Sequence, residues 1–250
     1  MHDFNFSEGE LILVDKPLRW TSFDVVEKIK RTIGIRKLKI GHAGTLDPLA
    51  CGLLILCTGK LTKQIDSFQA QEKEYQGNLI LGASTPSYDL ESEIDQKFDI
   101  SHILPEAMQK AADAFKGEIE QISPSYSAMR VNGQRAYKMI RRGETPEIRS
   151  RKVHINTFEV STEQFPDLQF RVVCSKGTYI RSLVHDYGKS LGSGAYLSTL
   201  RRTRIGEFRV ENAWPLEELI ASIRLFRGQV PKEEGISRNY NPKNKKGYDL

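Results

Sequence analysis

Cysteine is scarce in this chain of 250 residues, with only Cys51, Cys57 and Cys174 present. An odd number at such separations suits neither a disulfide framework nor a zinc site, whose ligands come in closely spaced pairs. Long hydrophobic runs are missing too: none approaches the ~20 residues that cross a bilayer. Met1 to Glu10 has neither the basic start nor the apolar centre of a secretion signal. There is no internal repeat, no His-rich cluster and no Asp-x-Asp pair, which leaves a metal-dependent phosphotransferase or hydrolase without its usual ligands. These absences point to a reduced, cytoplasmic protein with no membrane partner, no metal and no cofactor.

What is present is an ordinary globular composition, 39% hydrophobic and 9% aromatic, on a length that fits one large domain or two small ones. Lys and Arg number 37 against 32 acids, a net charge of +5. Clustering matters more than the sum. Lys28, Lys30, Arg31, Arg36, Lys37 and Lys39 form one group; Arg141 and Arg142 a second; Arg149, Arg151 and Lys152 a third; Arg201, Arg202 and Arg204 a fourth. Patches of this kind suit a polyphosphate partner such as RNA, although any one of them alone is also how a solvated face reads.

The chain is organised around Lys39-Ile40-Gly41-His42-Ala43-Gly44-Thr45-Leu46-Asp47-Pro48-Leu49-Ala50-Cys51-Gly52. Glycines and a proline surround one carboxylate, so the backbone bends sharply and approaches something closely. Asp47 is the only acid between Glu27 and Asp66. It reads either as a reactive carboxylate on a stiff loop or as a turn former before Pro48. The stretch Gly41 to Pro48 resembles the catalytic motif of the TruB family of tRNA pseudouridine synthases, which isomerise a uridine in the T arm of tRNA.

Further segments carry the same resemblance, over about residues 10 to 223. Lys16-Pro17 with Trp20-Thr21-Ser22 matches a family signature, with Arg19 where the family has Gly. Lys73-Glu74-Tyr75-Gln76-Gly77 matches another, and Thr85 to Asp89 keeps part of a Thr-Asp-Thr-rich turn. Gln121 to Arg130 leads toward an RNA-gripping insertion at about 126–152, with Ser123 and Arg130 in place of Pro and Lys. Cys174-Ser175-Lys176-Gly177-Thr178-Tyr179-Ile180-Arg181 and Tyr196 to Phe208 complete the set.

Between these, patterning predicts strands at 11–14, 52–57, 75–81, 153–157 and 168–174, from apolar runs or alternation. Helices are expected from a cap at Thr21 to a stop at Gly34, around Leu61, Ile65 and Phe68, over 104–115, over 180–191, and from Pro215 to Ile223. Residues 83–103 read as a polar surface loop and Gly192 to Ala195 as a turn. A short helix is expected around Ala136, Tyr137 and Ile140. The fold class is α+β, a mixed and mostly antiparallel central sheet flanked by helices; the resemblance makes it the pseudouridine synthase fold. One catalytic domain, 1–226, is expected to precede a basic tail at 227–250 whose composition predicts disorder, with no C-terminal RNA-binding domain.

The resemblance implies site roles residue by residue. Asp47 is the nucleophile, Arg181 the cation paired with it, and Tyr75 contacts the target base. His42 fills the place the base vacates, and Tyr179 and Leu200 line the uridine pocket. Lys16, Arg130, Arg141, Arg142, Lys152, Lys176 and Arg202 are expected to meet RNA phosphates. On bare sequence, His42 is a turn residue, and Tyr75 and Leu200 are core. The expected partner is the T stem-loop of tRNA, bound by a monomer. A non-catalytic tRNA-binding or tRNA-folding module is the competing reading: it explains the basic patches but not a guarded Asp among glycines.

Overall fold

The computed structural model describes residues 3–124, 130–131, 134–135, 139, 142 and 150–228. In chain order the elements are β1 (Leu11–Lys16), α1 (Ser22–Ile33), β2 (Ile40–Ala43), β3 (Ala50–Thr58), a 3-10 segment (Gly59–Gln64), α2 (Ile65–Ala70), β4 (Lys73–Leu81), β5 (Ala83–Ser84) and β6 (Gln96–Lys97). There follow α3 (Pro105–Ala114), β7 (Gly117–Ile122), β8 (Arg130–Val131), β9 (Gln134–Arg135), β10 (Ser150–Ser161), β11 (Asp167–Cys174), α4 (Ile180–Ser190), β12 (Ala195–Ile205), β13 (Phe208–Arg209), β14 (Trp214–Pro215) and α5 (Leu216–Phe226). The chain forms two compact units, one drawn from Met1–Phe68 and Val210–Leu250, the other from Gln69–Arg209.

In the first unit β1 pairs antiparallel with β3 and parallel with β14, and β2 pairs antiparallel with β3. β3 is apolar from Leu53 to Cys57 because both its faces are covered. Helix α1 begins as its sequence dictates. Thr21 Oγ1 accepts from the Asp24 amide (3.0 Å) while the Asp24 carboxylate reaches back to the Thr21 amide (3.3 Å), so two otherwise orphaned donors are satisfied. At the other end Gly34 turns left-handed and its N–H returns to Lys30 O. The apolar stripe Val25, Val26, Ile29 and Ile33 packs with Val14, Leu54 and Leu56 and with Leu219, Ile220 and Ile223 of α5. Each such aliphatic contributes about 1.5–3 kcal/mol on full burial, so this stripe decides that the helix forms.

The second unit is an antiparallel ladder in the order β12-β4-β11-β10-β7, with β13 folded back on β12. Phe158 of β10, fully buried, is edge-on to Phe115, Phe170 and Tyr187, and the Tyr187 hydroxyl donates to Met108 O of α3. Register shifts in β12 between Leu197 and Thr199 mark a bulge. There a Cβ on Gly77 of β4 would stand 2.2 Å from Thr199 O, so only glycine fits.

The α+β class and the mixed, mostly antiparallel strand arrangement are as expected, and several boundaries are not. β7 and β12 were not anticipated as strands. The helix expected from Leu61 starts at Ile65, because Gly59–Gln64 winds as a tighter 3-10 segment. Pro215 caps α5 instead of opening it, and Leu104 caps α3 with an exposed side chain. The short helix expected around Ala136, Tyr137 and Ile140, and all but the first two residues of the tail, lie outside the described residues.

Candidate active site

Asp47 sits in the turn that joins β2 to β3, and three contacts brace it. Gly44 opens the loop at φ 82. Leu46, buried, exchanges two hydrogen bonds with Ser22 at the start of α1: its amide donates to Ser22 Oγ (2.9 Å), and Ser22 Oγ donates to Leu46 O (3.2 Å). On the far side the Ala50 amide closes on Asp47 O (3.1 Å) and the Arg19 amide donates to Pro48 O (2.7 Å). The half-buried carboxylate therefore projects from a backbone fixed one residue before and one after it. His42 contacts Thr45 Oγ1 through Nε2 (3.1 Å) inside the same loop.

Arg181 belongs to the second unit. It is buried in the first turn of α4; its Nη1 donates to Ser87 O (3.1 Å) and its Nε lies 3.5 Å from Asp89 Oδ2. Asp89, also buried, is itself held by the Ser87 hydroxyl (2.6 Å) and the Glu91 amide (3.0 Å) on Oδ1. Asp89 is the residue the sequence analysis missed: it was one acid in an acidic loop. Its signal was the Thr85-x-Ser87-x-Asp89 spacing, whose hydroxyls both turn onto Asp89.

The β4–β12 register builds a second part of this unit's site. Arg202 stands opposite Tyr75, and Leu200 opposite Gly77; with side chains alternating along a strand, Tyr75, Leu200 and Arg202 leave the same face. All three are buried. Beside Tyr75, burial pushes the Lys73 ammonium down to about 8, helped by the charge of Arg202; its Nζ donates to the Gln69 and Gln71 carbonyls. On the opposite face of β4, burial opposes ionisation of Glu74, but the hydrogen bonds from Thr203 and Arg171 prevail and hold its carboxyl below the usual range. Cys174 is pushed up to about 11 by burial, which removes it as a nucleophile.

Tyr179 precedes α4 and is clamped from the root of the expected insertion. The buried Gln121 amide accepts from Tyr179 N (2.7 Å) and donates to Tyr179 O (3.0 Å). The Arg151 guanidinium covers the Tyr179 ring at 4.4 Å and donates to Ser123 Oγ (2.7 Å). Ser123, a departure from the family pattern, thus serves as an anchor for Arg151.

Two of the expected phosphate contacts need correction. Lys16 is fully buried, its ammonium donating to Pro17 O (3.1 Å) and Trp20 O (2.6 Å), so it ties down the loop before α1. Arg202 is likewise buried, at 1% exposure. Neither side chain reaches the surface where phosphates are met. Arg142, Lys152 and Lys176 are exposed, with Lys152 paired to Glu118 (2.8 Å). Arg130 is described as backbone only, and Arg141 lies outside the described residues. Among the described residues no cluster of His, Cys, Asp or Glu could hold a metal ion.

The fold, with a lone carboxylate on a glycine-bounded loop and a buried arginine at a helix start, defines a pseudouridine synthase. Solved structures carry the same fold: a Cbf5-Nop10-Gar1 complex (TM-score 0.68, 29% identity, 91% of this chain and 58% of that one) and an H/ACA RNP bound to a substrate RNA containing 2'-deoxyuridine (TM-score 0.67, 28% identity, 91% and 57%). This chain therefore spans little more than half of those chains. Residues 30–180 match the TruB family pseudouridylate synthase N-terminal domain, and residues 181–242 the tRNA pseudouridylate synthase B C-terminal domain. The chain belongs to the TruB family. It is 52% identical to the tRNA pseudouridine synthase B of Flavobacterium johnsoniae over 213 residues (83% of this chain, 93% of the relative). With that of Clostridium tetani it shares 43% over 228 residues (91% and 78%).

Proposed function

We propose that this chain isomerises uridine to pseudouridine in the T arm of tRNA, with Asp47 as the nucleophile and Arg181 as its partner cation. The observation that carries the reading is the bracing of Asp47: Leu46 and Pro48 are each bonded to the α1 side of the unit, which a mere turn former does not require. The name shared by the relatives, tRNA pseudouridine synthase B, supports the substrate.

The chemistry needs little else. The bond from ribose C1′ to base N1 breaks, the base rotates, and C5 bonds to C1′; the C5 proton leaves and N1 gains one. Atoms and charge balance with no redox partner, so one ionised carboxylate, adding to the base or acting at the sugar, suffices. Burying that carboxylate under a base costs free energy unless a cation stays beside it. Arg181 fills the role, because its planar fork aligns a carboxylate as well as neutralising it. Tyr75 and Leu200 face the base, Tyr179 borders it, and His42 occupies the place it leaves on flipping, a step that costs a few kcal/mol. The insertion at about 126–152 grips the RNA.

Asp47→Asn should abolish pseudouridine formation in an unmodified tRNA transcript, a loss of at least about 1000-fold for a covalent nucleophile, while the dissociation constant for that RNA stays within about twofold. Turnover close to that of the unaltered protein removes the nucleophile assignment. Binding with no product from the unaltered protein would favour the tRNA-binding module instead.

A further inference from the structure

Tyr88 lies between the two residues that hold Arg181, Ser87 through its carbonyl and Asp89 through its carboxylate. Its backbone is left-handed, φ 63, a region that bulky side chains avoid and that persists only where the surroundings impose it. Two backbone bonds help: the Tyr88 amide donates to Thr85 O (3.1 Å), and Tyr88 O accepts from Leu197 of β12 (2.9 Å). The third restraint is a ring. His185 stacks on Tyr88 with centroids 3.9 Å apart and planes 17° from parallel.

His185 follows Arg181 by four residues on α4, so both side chains leave the same face of the helix. One face thus grips one turn at two points, Arg181 by a hydrogen bond to Ser87 and an ion pair to Asp89 on its flanks and His185 by covering its centre. The His185 ring works by that face: its Nδ1 is buried with no hydrogen-bond partner among the described residues. Burial, and then the charge of Lys189, hold the imidazole below its usual range, which keeps it neutral near pH 7. A buried ring nitrogen left unsatisfied is unfavourable, so what the ring contributes here is its stacking face rather than its polarity.

We infer that the Tyr88–His185 stack is a positioning device, closing the Ser87–Asp89 turn on Arg181 so that the guanidinium is held in one orientation for the carboxylate it serves. This rests on the reading of Asp47 and Arg181 given above. Neither aromatic touches substrate; both act through Arg181, and the turn they hold is where the chain departs from the family's Thr-Asp-Thr pattern.

Steady-state kinetics of the full chain on an unmodified tRNA transcript test this. His185→Ala and Tyr88→Gly should lower kcat by about 10- to 100-fold, the range expected of a misplacement near 1 Å, with KM within about twofold. His185→Phe and Tyr88→Phe, which keep stacked rings, should retain kcat within about threefold of the unaltered protein. Tyr88→Gly also relieves the left-handed backbone, so its melting temperature should not fall, and a rate lost without stability separates positioning from folding. Should His185→Ala fail to fold, Tyr88→Gly decides, since it leaves α4 intact. The inference is overturned if Tyr88→Gly keeps its rate, or if His185→Phe is as slow as His185→Ala. Asp47→Asn and Arg181→Lys run alongside: full activity in either removes the site reading and the inference with it, whereas their loss with an active Tyr88→Gly removes the inference alone.

Discussion

Arg19 stands where the family has glycine and keeps a backbone that suits glycine, φ 67. A left-handed non-glycine residue costs roughly 1–2 kcal/mol, and glycine returns about 0.5–1 kcal/mol of that through the freedom it gains on unfolding. Arg19→Gly should therefore stabilise the protein by about 0.5–1 kcal/mol, a rise of roughly 1–4 °C in melting temperature for a chain of this size. Calorimetry checks it, and a fall would mean that the exposed Arg19 side chain makes contacts worth more than the strain. Legibility at this scale divides by whether a residue's state is local. The Asp47 loop was readable because Gly44 and Pro48 dictate a bend wherever they occur. Lys16 and Arg202 were misread because a charge in a sequence looks exposed, and only tertiary structure supplies the Pro17 and Trp20 carbonyls that replace water around Lys16. Asp89 was hidden for the same reason: its partner Arg181 is far away in sequence.

Elements follow the same division. Helix α1 was legible from end to end, since its cap, stripe and stop are all encoded within its own residues. Its strength rests measurably on the cap: Thr21→Ala removes the acceptor for the Asp24 amide and should cost about 1 kcal/mol, seen as a lower midpoint in urea with an unchanged slope. A midpoint equal to that of the unaltered protein would show that packing of Val25, Ile29 and Ile33 alone holds the first turn. β12 was illegible on the same terms. Arg201, Arg202, Thr203 and Arg204 interrupt any apolar alternation, and the register shifts against β4 break the period of two; the segment is a strand because β4 pairs with it. β7 alternates, yet its Ile122 is exposed, so the apolar positions do not mark a buried face.

For the molecule as a whole, the net charge of +5 is less informative than which cations are already paired. In the second unit Lys152 pairs with Glu118, Arg171 with Glu74 and Glu159, and Arg204 with Glu72. In the first unit Arg36, Lys37 and Lys39, exposed in the connection between α1 and β2, have no ion-pair partner among the described residues. A cation facing a carboxylate gains less from a phosphate than one facing water, because it must give up the first partner. Lys37 and Lys39 are therefore expected to be the stronger phosphate contacts if tRNA meets this face. Each phosphate neutralised adds roughly 0.7–0.9 to the magnitude of the slope of log affinity against log salt. Replacing Lys37 and Lys39 by Ala together should flatten that slope for tRNA by about 1.5 and weaken binding most at low salt, with turnover at saturating RNA unchanged because neither side chain lies in the Asp47 loop. The same pair of substitutions with an unaltered slope would shift the phosphate contacts to Lys176 and the other basic residues of the second unit, where the paired cations would then have to exchange carboxylate for phosphate on binding.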